Sequence, residues 1–304
     1  MAHIFGPVPS RRLGLSLGVD LIPLKTCTYN CLYCQVGRTT RQNLEIESFF
    51  PVTEVLEELG KKLEICSPDA VTLSGSGEPT LSSDIDRVIS FVKERTDTKT
   101  VILTNGSLLW REDVRHRISR ADIIMPTVTT VYEETFNLIH EPHVDLDLNT
   151  IVEGLKSLRQ TYKGDLFLEV VLLAGFNDSE KELEGLKRMI DQVSPDKIQL
   201  NTVVRPPSDA RAISLDIKRL KEIKSLFGEK AEIIAQAPLK HTNEEDDTLN
   251  ATILEMAKRR PVRARDVANV CDIPLEEADS LMKGLGLKGT LRQQEHEGEV
   301  YYMK

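Results

Sequence analysis

No apolar run in the 304-residue chain approaches the roughly 18–20 residues of a membrane-spanning helix. The opening stretch MAHIFGPVPSRRLG lacks the apolar core of a signal peptide. These two absences lead us to expect a cytoplasmic protein with no membrane partner. Cysteine is sparse. There are five, Cys27, Cys31, Cys34, Cys66 and Cys271, and an odd count with three clustered does not make a disulfide framework. In a reducing compartment clustered thiols more often hold metal. The six histidines (His3, His116, His140, His143, His241 and His296) show no metal-ligand spacing. The pair in HEPH, residues 140–143, follows a helix end and reads as structural. Positive charge is not in excess either: a net charge of −9 argues against a protein that coats nucleic acid. Internal repeats and low-complexity tracts are absent. What remains is 40% hydrophobic and 29% charged, the composition of a globular chain with one large domain or a large one and a small one.

Short β-rich runs alternate with helix-period segments. The strand candidates are residues 16–23, 69–75, 98–106, 121–131, 165–175 and 196–204, with a seventh at 231–237. Several are apolar without alternation, the pattern of strands buried on both faces. Between them lie amphipathic helices such as VTEVLEELGKKLEI, SSDIDRVISFVKERT, which opens on a Ser-Ser cap, and DSEKELEGLKRMIDQV, which carries a cap and acidic residues in its first turn. This alternation implies parallel strands joined by right-handed crossovers, and six such units suggest a barrel or part of one. A polar, acidic linker is expected at 239–249. Beyond it, residues 250–304 read as three helices and a β-hairpin, the order of a winged helix-turn-helix domain.

In a parallel α/β barrel reactive residues follow the carboxyl ends of the strands, and the unusual polar residues fall there. The loop KTCTYNCLYCQVG follows the first strand and SGSGEPTL the second. Asn105 follows the third, Glu169 lies in the fifth, and the sixth carries Asn201 and runs on to Arg205. Residues 1–41 hold Arg11, Arg12, Lys25, Arg38 and Arg41 against only Asp20. This charge either balances thiolates or makes a basic mouth for an anionic substrate. The CxxxCxxC loop has two readings of its own: a zinc knuckle with a distant fourth ligand, or a [4Fe–4S] cluster with one iron left open.

The loop and the glycine turn together resemble the radical S-adenosylmethionine (SAM) superfamily. Its CxxxCx(aromatic)C signature is matched by Cys27, Cys31, Tyr33 and Cys34, and its Gly-Gly-Glu-Pro turn by Gly75–Pro79, with Ser76 inserted between the glycines. The resemblance covers most of residues 1–237. It implies a partial (β/α)6 barrel over residues 1–238. It also implies a [4Fe–4S] cluster on Cys27, Cys31 and Cys34, and SAM chelated to the fourth iron. By position, Tyr33 would pack near the adenine, while Ser76, Gly77 and Glu78 would receive the SAM ammonium. Asn105, Glu169 and Asn201 would meet the ribose or the amino-acid part, and Arg205 would pair with the SAM carboxylate. Thr127 and Thr129 are expected in the same region. A small reductant such as flavodoxin or ferredoxin would be a partner. No side chain is singled out as a catalytic acid or base.

The opening 36 residues are similar to a narrower group that includes the wyosine-type tRNA synthases. Those enzymes carry further cysteines upstream, whereas residues 1–26 here have none, and the lysine that holds their pyruvate has no evident counterpart. The C-terminal unit is neutral, with nine basic and nine acidic side chains. Four bases cluster at 258–263, yet its third helix is acidic at the start, which favours a docking module or lid over a DNA reader. Three readings follow: a radical SAM enzyme acting on tRNA or a nucleotide, one acting on a peptide or protein held by the winged domain, or a non-enzymatic metal-binding regulator. Cys66 and Cys271 read as packed thiols.

Overall fold

The computed structural model describes residues 3–235, 249–271 and 273–304. Strands β1 (Ile4–Ser10) and β2 (Gly14–Val19) form an antiparallel pair. A loop holding the short strands β3 (Thr26–Cys27) and β4 (Arg41–Gln42) leads to α1 (Val52–Ile65). Then β5 (Ala70–Leu73), α2 (Ile85–Arg95), β6 (Lys99–Thr104), α3 (Glu112–Ile118) and β7 (Ile123–Val128) alternate. Two helices follow, α4 (Glu133–His140) and α5 (Leu148–Thr161), and next come β8 (Asp165–Leu172), α6 (Glu180–Val193), β9 (Lys197–Thr202), α7 (Ile217–Phe227) and β10 (Ala231–Ile233).

The sheet order is β1-β2-β5-β6-β7-β8-β9-β10, and every neighbouring pair beyond β1–β2 is parallel. Six strand–helix units from β2 to α7 therefore make the expected partial (β/α)6 barrel, with β10 added at one edge. All four residues of β5 are buried, as are Leu166 and Leu168 of β8 and Ile198 and Leu200 of β9. The helices close the outer face with one apolar stripe each: α1 buries Val52, Val55 and Leu59, and α2 buries Ile85, Val88, Ile89 and Val92.

Two local details differ from the sequence reading. Helix α2 starts at Ile85 rather than at the serine pair, because Pro79–Leu81 forms a 3-10 turn and the Ser82 hydroxyl accepts from the Asp84 amide. The capping serine of α6 is as expected, with the Ser179 side chain accepting from the Glu182 amide. Strand β1 was not anticipated. It carries Pro7 and Pro9, lies at the sheet edge and is bulged between Phe5 and Val8, the places where a strand tolerates missing N–H donors.

The expected linker at 239–249 lies outside the described residues apart from Leu249, as do the last two residues of the seventh strand candidate. Leu249 opens α8 (Leu249–Arg259), followed by α9 (Ala264–Cys271), α10 (Leu275–Leu287) and the antiparallel hairpin β11 (Arg292–His296) and β12 (Glu299–Met303). These elements share a core of their own around Ile253, Val267, Met282 and Tyr302. The unit folds back onto the barrel. Helices α8 and α9 pack against β1, and Val8 joins their core. The Arg259 guanidinium stands 4.6 Å from the Phe5 ring centre, and the Tyr301 hydroxyl donates to the Val204 carbonyl at 2.8 Å. The exposed edge of the sheet is thus covered, which removes a surface that would otherwise pair with other chains.

Candidate functional site

A cavity of about 410 Å³ opens at the carboxyl ends of the strands. Most of the singled-out residues line it: the three clustered cysteines, Tyr33, Gly77, Glu78, Asn105, Thr127, Glu169, Asn201 and Arg205. Ser76 does not, which corrects the expectation of a cofactor contact. Its hydroxyl donates to Asp20 at 2.5 Å, its amide donates to the same carboxylate at 3.1 Å, and its carbonyl accepts from the Lys25 amide. The inserted serine therefore partners a buried acid behind the turn. Burial pushes Asp20 up from the usual carboxylate range, and these two donors oppose the push.

The turn itself is built for close approach. Gly77 lies so near the cysteine loop that a Cβ there would come within 1.7 Å of the Thr26 carbonyl oxygen. The next amide, of Glu78, donates to that oxygen at 3.3 Å. Gly75 has φ +140° and abuts the Asp20 carboxylate, so no side chain fits there either. The Gly-Glu turn and the cysteine loop are locked together by backbone.

The Glu78 carboxylate is 1% exposed and accepts four hydrogen bonds: from the Thr80 amide and hydroxyl, the Thr104 hydroxyl and the Asn105 amide. Three of them fall on Oε1, so Oε2 takes only the Asn105 amide, at 2.7 Å. Burial raises its pKa and the four donors pull it back. Asn105 is similarly engaged. Its side-chain amide donates to the Thr28 hydroxyl at 2.7 Å and toward the Cys27 sulfur at 3.5 Å, and its oxygen accepts from the Ser107 amide. It braces the cysteine loop and has little left for the ribose contact expected of it.

Burial pushes the thiols up, Cys27 to about 12 with the Glu78 charge adding to the effect, and Cys31 well above its ordinary value. Cys31 Sγ also lies 3.1 Å from His140 Nδ1, whose ring Nε2 is 2.7 Å from the Thr129 hydroxyl. His140 is 3% exposed, and burial lowers its pKa to about 3, so the ring is neutral. It sits among Tyr29, Tyr33 and Phe136, with ring centres 4.8, 5.8 and 5.1 Å away. Its involvement was missed in the sequence: it lies 109 residues from Cys31, and nothing in its spacing points there.

On the opposite wall Glu169 accepts from Arg12 at 3.0 Å, Asn201 at 2.8 Å and Thr127 at 3.2 Å. Burial acts to raise its pKa, but Arg12, Asn201, Arg11 and Thr127 together hold it below the ordinary value. Thr129, expected nearby, instead faces His140. Among the described residues, the acceptor Asn201 Oδ1 and the donor Arg205 Nε are buried at this cavity with no hydrogen-bond partner. Native proteins rarely leave such groups unpaired, and here they would satisfy a bound polar molecule. Cys66 and Cys271 lie elsewhere, the first with its thiol on the Lys62 carbonyl and the second inside the C-terminal core. Three thiols, a glycine cradle and the orphaned Asn201 Oδ1 on one cavity fit a thiolate-held cluster with a small polar cofactor beside it.

Comparison with known proteins agrees with this chemistry. The family model for the Radical SAM superfamily matches residues 21–186. A UPF0026 protein of Methanocaldococcus jannaschii is 33% identical over 100% of this chain and 96% of its own length. A protein of Brachyspira hyodysenteriae named GTPase Obg is 34% identical over 99% of this chain, which spans only 45% of that protein. Among solved structures, TYW1 with a lysine-pyruvate adduct bound superposes with a TM-score of 0.54 at 17% identity, covering 75% of this chain and 76% of that one. SuiB of Streptococcus suis bound to precursor peptide SuiA gives 0.56 at 13% identity, covering 79% and 51%. At these identities the structural likeness concerns the fold.

Proposed function

The chain belongs to the radical SAM superfamily of iron–sulfur enzymes, whose cofactors are a [4Fe–4S] cluster and SAM, and on that premise we propose that it cleaves SAM reductively and uses the resulting 5′-deoxyadenosyl radical on a nucleotide-class substrate. The observation that supports the SAM chemistry is the meeting of Cys27, Cys31 and Cys34 with the Gly77–Glu78 turn on one cavity, while the substrate class follows the resemblance of the opening residues to the wyosine-type group. When bound, the cluster and SAM would supply the one-electron chemistry that cleaves the C5′–S bond and removes a substrate hydrogen. The residues hold and orient. Cys27, Cys31 and Cys34 would hold the cluster as thiolates. Glu78 Oε2 and the turn carbonyls receive the ammonium, Asn201 Oδ1 accepts a ribose hydroxyl, and Tyr33 covers the adenine. The C-terminal unit, the expected winged helix, serves as a lid that excludes water. A flavodoxin- or ferredoxin-like reductant delivers the electron.

The test is anaerobic incubation of iron- and sulfide-reconstituted protein with SAM and dithionite. We expect about four irons per chain and 5′-deoxyadenosine release that needs the reductant. Bound zinc with no SAM cleavage would sink the proposal.

His140 has a definite part in this scheme. A thiolate ligand of iron carries no proton, so in the His140–Cys31 contact the ring must donate from Nδ1, and the Thr129 hydroxyl then donates to Nε2. Hydrogen bonds to cluster sulfurs favour the reduced, more negative state. His140→Leu keeps the apolar packing and removes the donor. With a hydrogen bond worth about 1.4 kcal/mol and 59 mV per tenfold for one electron, the midpoint potential should fall by about 60 mV. A spectroscopic redox titration reads it, and an unshifted potential at full cluster content would remove His140 from this role.

A further inference from the structure

The cavity has a strongly basic wall that cluster and SAM binding do not explain. Arg11, Arg205 and Arg260 all line it, the first from the barrel's edge, the second beyond β9 and the third just past α8. Each lowers another's affinity for its proton: Arg205 acts on Arg11, Arg260 on Arg205, and Arg11 on Arg260. Burial is the larger cause in each case, leaving Arg11 at about 10 and Arg205 at about 9. The nearby acids are already committed. Glu169 holds Arg12, and Asp266 is gripped by Arg263 through Nε at 3.2 Å and Nη2 at 3.0 Å.

Their own hydrogen bonds are few. Arg11 Nη1 reaches the Ile234 and Ala235 carbonyls at 3.2 and 3.3 Å, and Arg205 Nη1 reaches Gln35 at 3.3 Å. Arg205 Nε, on a residue 8% exposed, has no partner among the described residues, and the partly exposed Arg260 guanidinium has Asp266 as the acid acting on it. Three guanidinium groups on one cavity wall, Arg205 buried and Arg11 and Arg260 partly so, with spare donors are costly unless an anion joins them. A single carboxylate carries one charge, whereas a phosphate monoester carries nearly two and accepts several N–H bonds at once.

We propose that Arg11, Arg205 and Arg260 bind the phosphate group of a small phosphate-ester substrate, whose organic part extends toward the cysteine loop. This deepens the radical SAM reading and rests on it for the reaction. Arg205, first read as a partner of the SAM carboxylate, is thereby assigned to the substrate. The substrate is small because Met256, Arg259 and Arg260 of the C-terminal unit line the same cavity as the cysteines. A polymer would have to displace that unit from β1 to enter.

Isothermal titration of the reconstituted full chain at saturating SAM provides the test, with ribose 5-phosphate as probe and ribose as control. We expect saturable binding of ribose 5-phosphate, none of ribose, and at least tenfold weaker binding in Arg260→Gln. Arg260→Lys should recover part of the loss, and it reports on the site even where the glutamine variant folds poorly. No saturable binding, wild-type affinity in Arg260→Gln, or tighter probe binding when SAM is left out would each overturn the assignment. An RNA 10-mer that binds more tightly than ribose 5-phosphate, with the same dependence on Arg260, would overturn the small-substrate part. Release of 5′-deoxyadenosine in the same preparation is scored separately. Its absence counts against the radical reaction alone, and lost phosphate binding counts against this site alone.

Discussion

Cys31→Ala should lose both the cluster and SAM cleavage. Two thiolates cannot hold a cluster that needs three, and no other thiol is close enough to stand in: Cys66 lies at the end of α1 and Cys271 in the C-terminal core. The site is poorly suited to holding a single charged thiolate without iron, since burial pushes Cys27 and Cys31 far up from the ordinary thiol range. Iron therefore supplies the charge that makes three buried thiolates tolerable, and removing one ligand removes that compensation. The expected readout is loss of the broad visible absorbance, iron near background and no 5′-deoxyadenosine. Cys66→Ala is the matched control. Its half-buried thiol donates to the Lys62 carbonyl away from the cavity, so iron and turnover should stay at wild-type levels. Full iron and turnover in Cys31→Ala, or equal losses in both variants, would contradict the ligand assignment.

Much of the barrel was legible because its strands are buried on both faces and so read as apolar runs. Leu166–Leu168 and Ile123–Met125 announce themselves in this way. β1 did not, since Gly6, Pro7 and Pro9 carry no strand signal, and only the cover provided by α8 and α9 makes that edge a structural element. The cysteine loop and the glycine turn were legible because close backbone approach and thiolate ligation each demand particular residue types at fixed spacing. The direction of a side chain within such a turn is not so encoded. Nothing in SGSGEP says that Ser76 points back to Asp20, a partner 56 residues away. His140 was hidden for the same reason, because its role depends on where the end of α4 meets the loop. The basic wall stood halfway between. Arg11 and Arg12 stood out as a charge excess, as did Arg259 and Arg260, but their convergence requires the C-terminal unit to fold back over the barrel mouth.

Glu78→Ala should be costly for stability as well as for SAM binding, an outcome the motif alone would not suggest. A side chain whose only task was to meet an ammonium could be truncated with little effect on the fold. Here the carboxylate closes a buried network joining the 3-10 turn, the end of β6 and, through Asn105 and Thr28, the cysteine loop. Truncation leaves four donors without an acceptor, a loss of about 4 kcal/mol, or about 10 °C in melting temperature for a chain of this size. SAM affinity should fall at least tenfold, because Oε2 is removed and the Asn105 backbone it positions is released. Glu78→Gln separates the two effects. Its carbonyl oxygen can still serve the two threonines, while its NH2 group would face the Asn105 N–H as donor against donor. It should therefore recover more of the melting temperature than of the SAM affinity. A melting temperature in Glu78→Ala equal to wild type would show that the network carries no weight. An unchanged SAM dissociation constant in both variants would move the ammonium contact elsewhere on the turn, to the carbonyls around Gly77.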